Sequence, residues 1–252
     1  MLEDGEWKPV FFICVIGKDW HHWYYICMKT FHILSAIPEV IEPYARASIL
    51  GRAVKNKLIK IKSYNIRRWT MDKHRKIDDT PYGGGPGMVL KVEPIYKAVK
   101  ALRVNIKKTR TSKRTRVILF STRGKVFTQQ EAIRLSKYDH LVFICGRYEG
   151  VDERVAKHIV NEEISVGNFV LSGGEVPAML VVDAVARTIP GVLGKQESLE
   201  DIKGSYPVYT RPPVFVPEPK KYPKKQWKVP DELMKGNHKE IERWRQKRGN
   251  RG

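Results

Sequence analysis

From Met28 onward, apolar residues fall into two alternating rhythms. The stretches 29–35 and 58–64 predict strands, and the compact apolar runs at 116–121 and 141–145 predict buried ones, with a shorter run at 164–166. Between them, apolar positions recur at helical spacing. Val40, Ile41, Tyr44, Ala45, Ile49 and Leu50 predict a helix to Gly51, with Ser35 near its N-cap and Pro38 in its first turn. Further helices are predicted at 94–102, 129–136 and 177–189, the last opened by Pro177 and stopped by Pro190-Gly191. Strands alternating with helices predict an α/β fold with a parallel sheet.

The pattern fades at both ends. Residues 195–213 are polar and proline-bearing, as a linker would be, and beyond them only 231–235 and 237–247 keep helical spacing. The expected organisation is an extension at 1–27, a main domain at 28–194, a linker at 195–207 and a small basic segment at 208–252. Within the extension, the apolar run 10–16 stops at Lys18 and Asp19 after too few residues to cross a bilayer. Acidic residues at its start and the lack of a small-residue cleavage site argue against a signal peptide. His21 and His22 are adjacent, do not share a face, and are not read as metal ligands. Met28 reads as the natural start.

Charge changes the picture more than composition does. With 47 Lys+Arg against 27 Asp+Glu, a net +20, nucleic acid is the leading partner class and an anionic membrane surface the second. The excess is localised. Residues 55–76 carry nine basic side chains and Trp69 against Asp72 alone, 97–116 carry nine and no acid, and 203–252 carry 14 against five acids. Such runs suit phosphate contact. Cys14, Cys27 and Cys145 have no metal or disulfide spacing and read as reduced packing residues of a cytosolic protein.

Two stretches depart from this basic character. Residues 141–177 hold six acids against three basic residues and place glycine-bearing loops after two strands, Gly146–Gly150 and 167–174. Glycines at strand ends let a backbone approach a ligand. A small ligand held by backbone groups is expected here, with polyanion binding elsewhere. The second stretch is Asp78-Asp79-Thr80-Pro81-Tyr82-Gly83-Gly84-Gly85-Pro86-Gly87-Met88. It is too rich in glycine and proline for helix or central strand, and it lacks the Gly-Lys-Ser/Thr of a P-loop. A shaped, substrate-facing loop is expected.

These blocks stand in a telling order. After the Pro-Tyr-Gly-Gly-Gly-Pro-Gly block come Cys145-Gly146-Arg147-Tyr148-Glu149-Gly150-Val151-Asp152-Glu153-Arg154 and Ser165-Val166-Gly167-Asn168-Phe169-Val170-Leu171-Ser172-Gly173-Gly174-Glu175. Arg187-Thr188-Ile189-Pro190-Gly191-Val192-Leu193-Gly194, Tyr209-Thr210-Arg211-Pro212 and Gly236-Asn237-His238 follow. From about Met28 to Lys247 the chain resembles the bacterial tRNA (guanine-N1)-methyltransferases, the TrmD family of the SPOUT superfamily. The resemblance implies a parallel sheet with helices on both faces, a C-terminal deep trefoil knot, and a small, mostly helical, basic C-terminal segment that binds tRNA. It implies a cytoplasmic homodimer with active sites between subunits and no membrane association.

The implied reaction is methyl transfer from S-adenosylmethionine to N1 of guanosine 37 of tRNA, beside the anticodon; Mg²⁺ is left open as a further cofactor. Carried over residue by residue, the methyl donor is held by Ser121, Gly146, Tyr148, Glu149, Val166, Gly167, Asn168, Phe169, Val170, Leu171, Gly173, Gly174 and Pro177. His74, Asp78, Tyr82 and Gly85 are implied tRNA contacts. The acceptor N1 must lose a proton, which calls for a carboxylate base and a cation beside O6. The family's base aligns with Asp201, and a slip to Glu200 stays open because the chain is shorter than the family pattern between Gly194 and Tyr209. Its arginine aligns with Arg187. The family pattern continues past Gly-Asn-His with further helices, so the grip on the anticodon arm is expected to be reduced, or to shift to the basic tail and the 97–116 stretch. A reading from another class, a non-catalytic basic RNA-binding protein with a degenerate knot, is separated from the enzyme by titration with S-adenosylmethionine.

Overall fold

The computed structural model describes residues 28–103, 114–194, 206–218, 220–222 and 224–249. The expectations placed on 1–27, on residues 104–113 of the basic 97–116 stretch, and on Glu200 and Asp201 lie outside these residues. The chain divides into two compact units, Met1–Gly194 and Lys195–Gly252.

The first unit is built on a five-stranded sheet: β1 (Lys29–Ser35), β2 (Ile59–Asn65), β5 (Thr115–Val126), β6 (His140–Ile144) and β7 (Glu162–Ser165), in the order β2-β1-β6-β5-β7. Every neighbouring pair is parallel. Parallel sheets need helices on both faces, and successive side chains point to opposite sides. Phe31, Ile33, Leu141 and Phe143 therefore pack on one face, against α1 (Glu42–Ala45), α2 (Ser48–Lys55), α4 (Gln129–Leu135) and α6 (Glu175–Arg187). Leu34, Val142, Ile144, Val117 and Leu119 pack on the other, against α3 (Val92–Ala101) and α5 (Glu153–His158). Burial on both faces explains why β6 is apolar from Leu141 to Ile144 and why β1 turns apolar residues to both sides, Phe31 and Ile33 to one and Leu34 to the other. Each fully buried aliphatic or aromatic side chain contributes about 1.5–3 kcal/mol.

Three local expectations are corrected. The predicted helix to Gly51 is a 3₁₀ turn (Pro38–Val40) followed by α1 and α2. Pro43 lacks the N–H that a continuous helix needs and crowds the preceding turn, and Ser48 takes φ +46°, outside helical space. Ser35 does not cap this segment; its hydroxyl accepts the Ile37 N–H and donates to Glu175, far along the chain. Strand β5 does not end at Ser121. Its ladder with β7 breaks between Phe120 and Lys125, both opposite Ile164, so 121–124 loop out before pairing resumes.

The Gly/Pro block is closed at its base by a two-residue antiparallel ladder, β3 (Asp78–Asp79) with β4 (Val89–Leu90). In the second unit, β8 (Val214–Phe215) pairs with β9 (Trp227–Lys228), and α7 (Asp231–Met234) and α8 (His238–Gly249) follow. The two helices, of four and 12 residues, stand where the helical spacing at 231–235 and 237–247 predicted them, but they make the described part of this segment less helical than the family resemblance implies. Trp244 is buried against Tyr209, with ring centroids 6.0 Å apart. No helix among the described residues is long and apolar enough to cross a membrane.

Candidate methyl-donor site

The loops that leave the carboxyl ends of β6 and β7, with the looped-out 121–124 of β5 between them, enclose a cavity of about 470 Å³, within the range of small-ligand sites. Twelve of the thirteen residues expected to hold the methyl donor line it: Ser121, Gly146, Tyr148, Glu149, Val166, Gly167, Phe169, Val170, Leu171, Gly173, Gly174 and Pro177. Asn168 does not.

The loop after β6 is shaped by backbone torsions. Tyr148 stands at φ +60° and Gly150 at +136°, and the turn closes with Gly150 N–H donating to Arg147 O at 3.2 Å. It is stitched to the Gly/Pro block: Glu149 N–H donates to Met88 O, Leu90 N–H to Gly150 O and Asp152 N–H to Leu90 O, each at 3.0 Å. Gly87, at φ +78°, lies so close that a Cβ there would overlap the Glu149 side chain. The expected substrate loop and a wall of the cavity thus meet at one glycine. Tyr82 at its tip is fully exposed, Gly85 takes φ +120°, and Asp78 belongs to the ladder at its base. His74 lies in an exposed turn where the Asp72 carboxylate accepts the Lys76 N–H at 3.0 Å. None of these four lines the cavity.

The loop after β7 presses against the loop after β6. Gly174 N–H donates to Gly146 O at 2.9 Å, and Arg147 and Gly173 form an antiparallel bridge. Phe169, Val170 and Leu171 stay exposed at 54%, 86% and 41%. Three adjacent apolar side chains left in water at a cavity mouth mark a surface made to be covered.

Besides Glu149, charge at the site comes from residues that were not expected to hold the donor. Arg123, on the looped-out part of β5, pairs with Glu153 at 2.8 Å and Glu163 at 3.8 Å. The Arg123 guanidinium holds the Glu153 carboxyl below its usual range. Glu163 also lines the cavity, and its Oε2 has no hydrogen-bond partner among the described residues. The only available signal was a polar Thr-Arg-Gly run after a buried strand. Burial pushes the Cys145 thiol well above its ordinary value, which leaves it a packing group and not a nucleophile.

Arg187 is not at the cavity. It ends α6, whose opposite end supplies Pro177. Ten residues at a rise of 1.5 Å separate the two by about 15 Å, beyond the reach of one side chain. A second hollow, of about 430 Å³, is lined by Arg116, Ala156, Val160, Asn161, Glu162 and Glu163; Ala156 and Glu163 line the cavity as well, but no residue of the glycine loops lines this hollow. Arg116 and Glu162 pair with each other in its wall at 2.7 Å. Among the described residues, no three His, Cys, Asp or Glu side chains converge to hold a metal.

An open parallel sheet with a glycine-walled cavity at the carboxyl ends of its strands defines an α/β protein that takes a small ligand there. Comparison with known proteins narrows the class. Residues 28–251 match the family model of tRNA (Guanine-1)-methyltransferase TrmD. A tRNA (guanine-N(1)-)-methyltransferase of Dictyoglomus turgidum is 48% identical over 225 residues, 87% of this chain and 84% of its own length. Proteins of the same name from Dehalococcoides mccartyi strain CBDB1 and Staphylococcus aureus strain JH9 are each 45% identical. They cover 85% and 84% of this chain and 83% and 82% of their own. The chain belongs to the TrmD family.

Proposed function

We propose that the protein methylates N1 of guanosine 37 of tRNA, with S-adenosylmethionine as donor. The observation that carries this reading is the cavity between the glycine loops, in a chain of this family. Its residues suit the donor. Phe169, Leu171 and Pro177 offer apolar surface to a purine, the loop backbones offer hydrogen bonds, and Glu149 and Glu163 bring negative charge toward a cationic ligand. S-adenosylmethionine supplies, when bound, a methyl group on a positively charged sulfur, already activated for transfer.

What remains for the protein is to make guanine nucleophilic. Asp201 takes the N1 proton, worth about 10²–10⁴ in rate, and Arg187 stabilises the charge that gathers on O6. The distance of Arg187 from the cavity of its own chain supports a homodimer, in which one subunit's arginine serves the donor held by the other. So does the apolar line on α6: Val176 and Leu180 are exposed, and Tyr44 is fixed beside them by its hydroxyl's bond to Asp183 Oδ2 at 2.6 Å. The knotted threading belongs to the same reading and is supported by the interlock of the loops at Gly146 and Gly174. The exposed Gly/Pro loop, with Tyr82, Gly85 and Asp78, and neighbouring His74 meet the tRNA, and the basic 208–252 segment grips it. Cytoplasmic location follows from that substrate. The test is methyl transfer from labelled donor to unmodified tRNA transcripts with guanine or adenine at position 37. Labelling of the guanine transcript alone is expected; equal labelling of both overturns the substrate, and labelling of neither overturns the activity.

A further inference from the structure

The amino end of α6 carries a carboxylate that the reaction does not use. Glu175 is 4% exposed, is the first residue of the helix, and does not line the cavity. Burying a carboxylate is costly unless donors or a cation meet it. Here Oε1 accepts the Ser35 hydroxyl at 2.6 Å, and Arg147 Nε stands 3.5 Å from the same oxygen. Ser35 is itself fixed, because its Oγ accepts the Ile37 N–H at 2.9 Å. The helix dipole favours a negative group at this end.

Three elements thus converge on one side chain: the carboxyl end of β1, the loop after β6 and α6. The loop after β7 is tied to the same point. Arg147 bridges Gly173 through the backbone, and a Cβ on Gly173 would overlap Glu175 Oε2 and stand 3.1 Å from Arg147 Cγ. Arg147 and Gly173 both line the cavity. Arg147 Nε has no hydrogen-bond partner among the described residues, so the charge of Glu175 is what holds that end of the guanidinium. Glycine-walled loops have little side-chain packing with which to fix their own separation.

We propose that Glu175 is a positioning residue for methyl-donor binding, clamping Arg147 and Ser35 so that the two loops keep the spacing the donor needs. This rests on the reading of the cavity as the S-adenosylmethionine site. The test is calorimetric titration of S-adenosylmethionine into full-length wild type, Glu175→Gln and Ser35→Ala, with melting curves and steady-state kinetics on tRNA alongside. Glu175→Gln keeps the shape and an acceptor for Ser35 but removes the charge facing Arg147; Ser35→Ala does the reverse.

Donor binding about tenfold weaker is expected in each, with donor KM raised to match and kcat at saturating donor within about threefold. The double variant should lose less than the two effects combined, because both act through one contact network. A merely structural role would lower the melting temperature and leave donor affinity of the folded protein untouched. Wild-type affinity in folded Glu175→Gln and Ser35→Ala overturns the proposal, as does lost kcat with unchanged donor KM. If Glu175→Gln does not fold, Ser35→Ala decides alone. A wild-type protein that takes up no S-adenosylmethionine defeats the cavity assignment itself; binding by wild type with unaffected variants defeats only the clamp.

Discussion

Gly174 separates close approach from backbone conformation. Its φ of −81° and ψ of −1° suit any residue, so alanine there brings no torsional strain. The penalty is contact. A Cβ would stand 2.6 Å from Cys145 Cα, 3.0 Å from Gly146 N and 3.1 Å from Cys145 Cβ. Carbon atoms rest at about 3.5–4.0 Å, so the loop before α6 must withdraw from the end of β6 by about 1 Å. That withdrawal breaks the 2.9 Å bond from Gly174 N–H to Gly146 O. Overpacking of this kind costs about 1–3 kcal/mol, and the hydrogen bond about 1 kcal/mol more. A penalty of about 2–4 kcal/mol lowers the melting temperature by roughly 4–16 °C in a domain of this size. The cavity wall moves with the loop, so donor affinity should fall by tenfold or more, on the order of 1.4 kcal/mol. Gly194→Ala, with open space around its Cβ, is the control. Thermal melts with and without S-adenosylmethionine read both effects. A Gly174→Ala protein with the melting temperature and donor affinity of wild type would refute the reasoning.

The other expectations concern chemistry and pH. Asp201→Asn should bind donor normally and lose about 10²–10⁴ in turnover, measured by single-turnover labelling; normal turnover there, with loss in Glu200→Gln, moves the base to Glu200. Arg187→Ala should cost about 10²–10³ in kcat with donor affinity unchanged. If the arginine serves the partner's cavity, mixed dimers of Arg187→Ala and Gly174→Ala chains should, at limiting donor, be more active than either homodimer; no gain argues for sites within one chain. His32, largely buried and facing His140, Lys62 and Lys60, has its pKa lowered from 6.5 to about 4. The unfolded chain therefore takes up a proton below pH 6.5 that the folded chain refuses down to about pH 4. Stability is full above pH 6.5 and falls by about 3 kcal/mol from His32 across that window. Denaturant melts from pH 7 to 4 should show a flatter profile in His32→Asn; an unchanged slope refutes the assignment.

The strands were legible because their core residues are buried on both faces, which makes β6 apolar from Leu141 to Ile144 and places Phe31, Ile33 and Leu34 around His32 in β1. The break in the helix to Gly51 was less so, since apolar spacing continues through Pro43 while the backbone cannot. Long-range pairings carried no local signal at all. Ser35 and Glu175 are 140 positions apart, and a serine before a proline-bearing helix reads as a cap. The separation of Arg187 from the cavity is likewise a matter of helix length, invisible to motif order.

The acidity of 141–177 shows best how far sequence reasoning reached. The glycine loops in this net negative stretch suggested a small ligand held by backbone groups, and most of its carboxylates are spent on structure. Asp152 caps α5 and pairs with Arg154 at 2.6 Å. Glu153 holds Arg123, Glu162 joins Arg116 to Arg134, and Glu175 meets Ser35 and Arg147. Glu149 and Glu163 are what is left facing the cavity, and Glu163 is shared with Arg123. A ligand entering between the glycine loops therefore meets chiefly backbone and a few apolar side chains. Recognition of that kind depends on where the loops are held more than on the charge they carry, so the acids that shape the site include some that never touch the ligand.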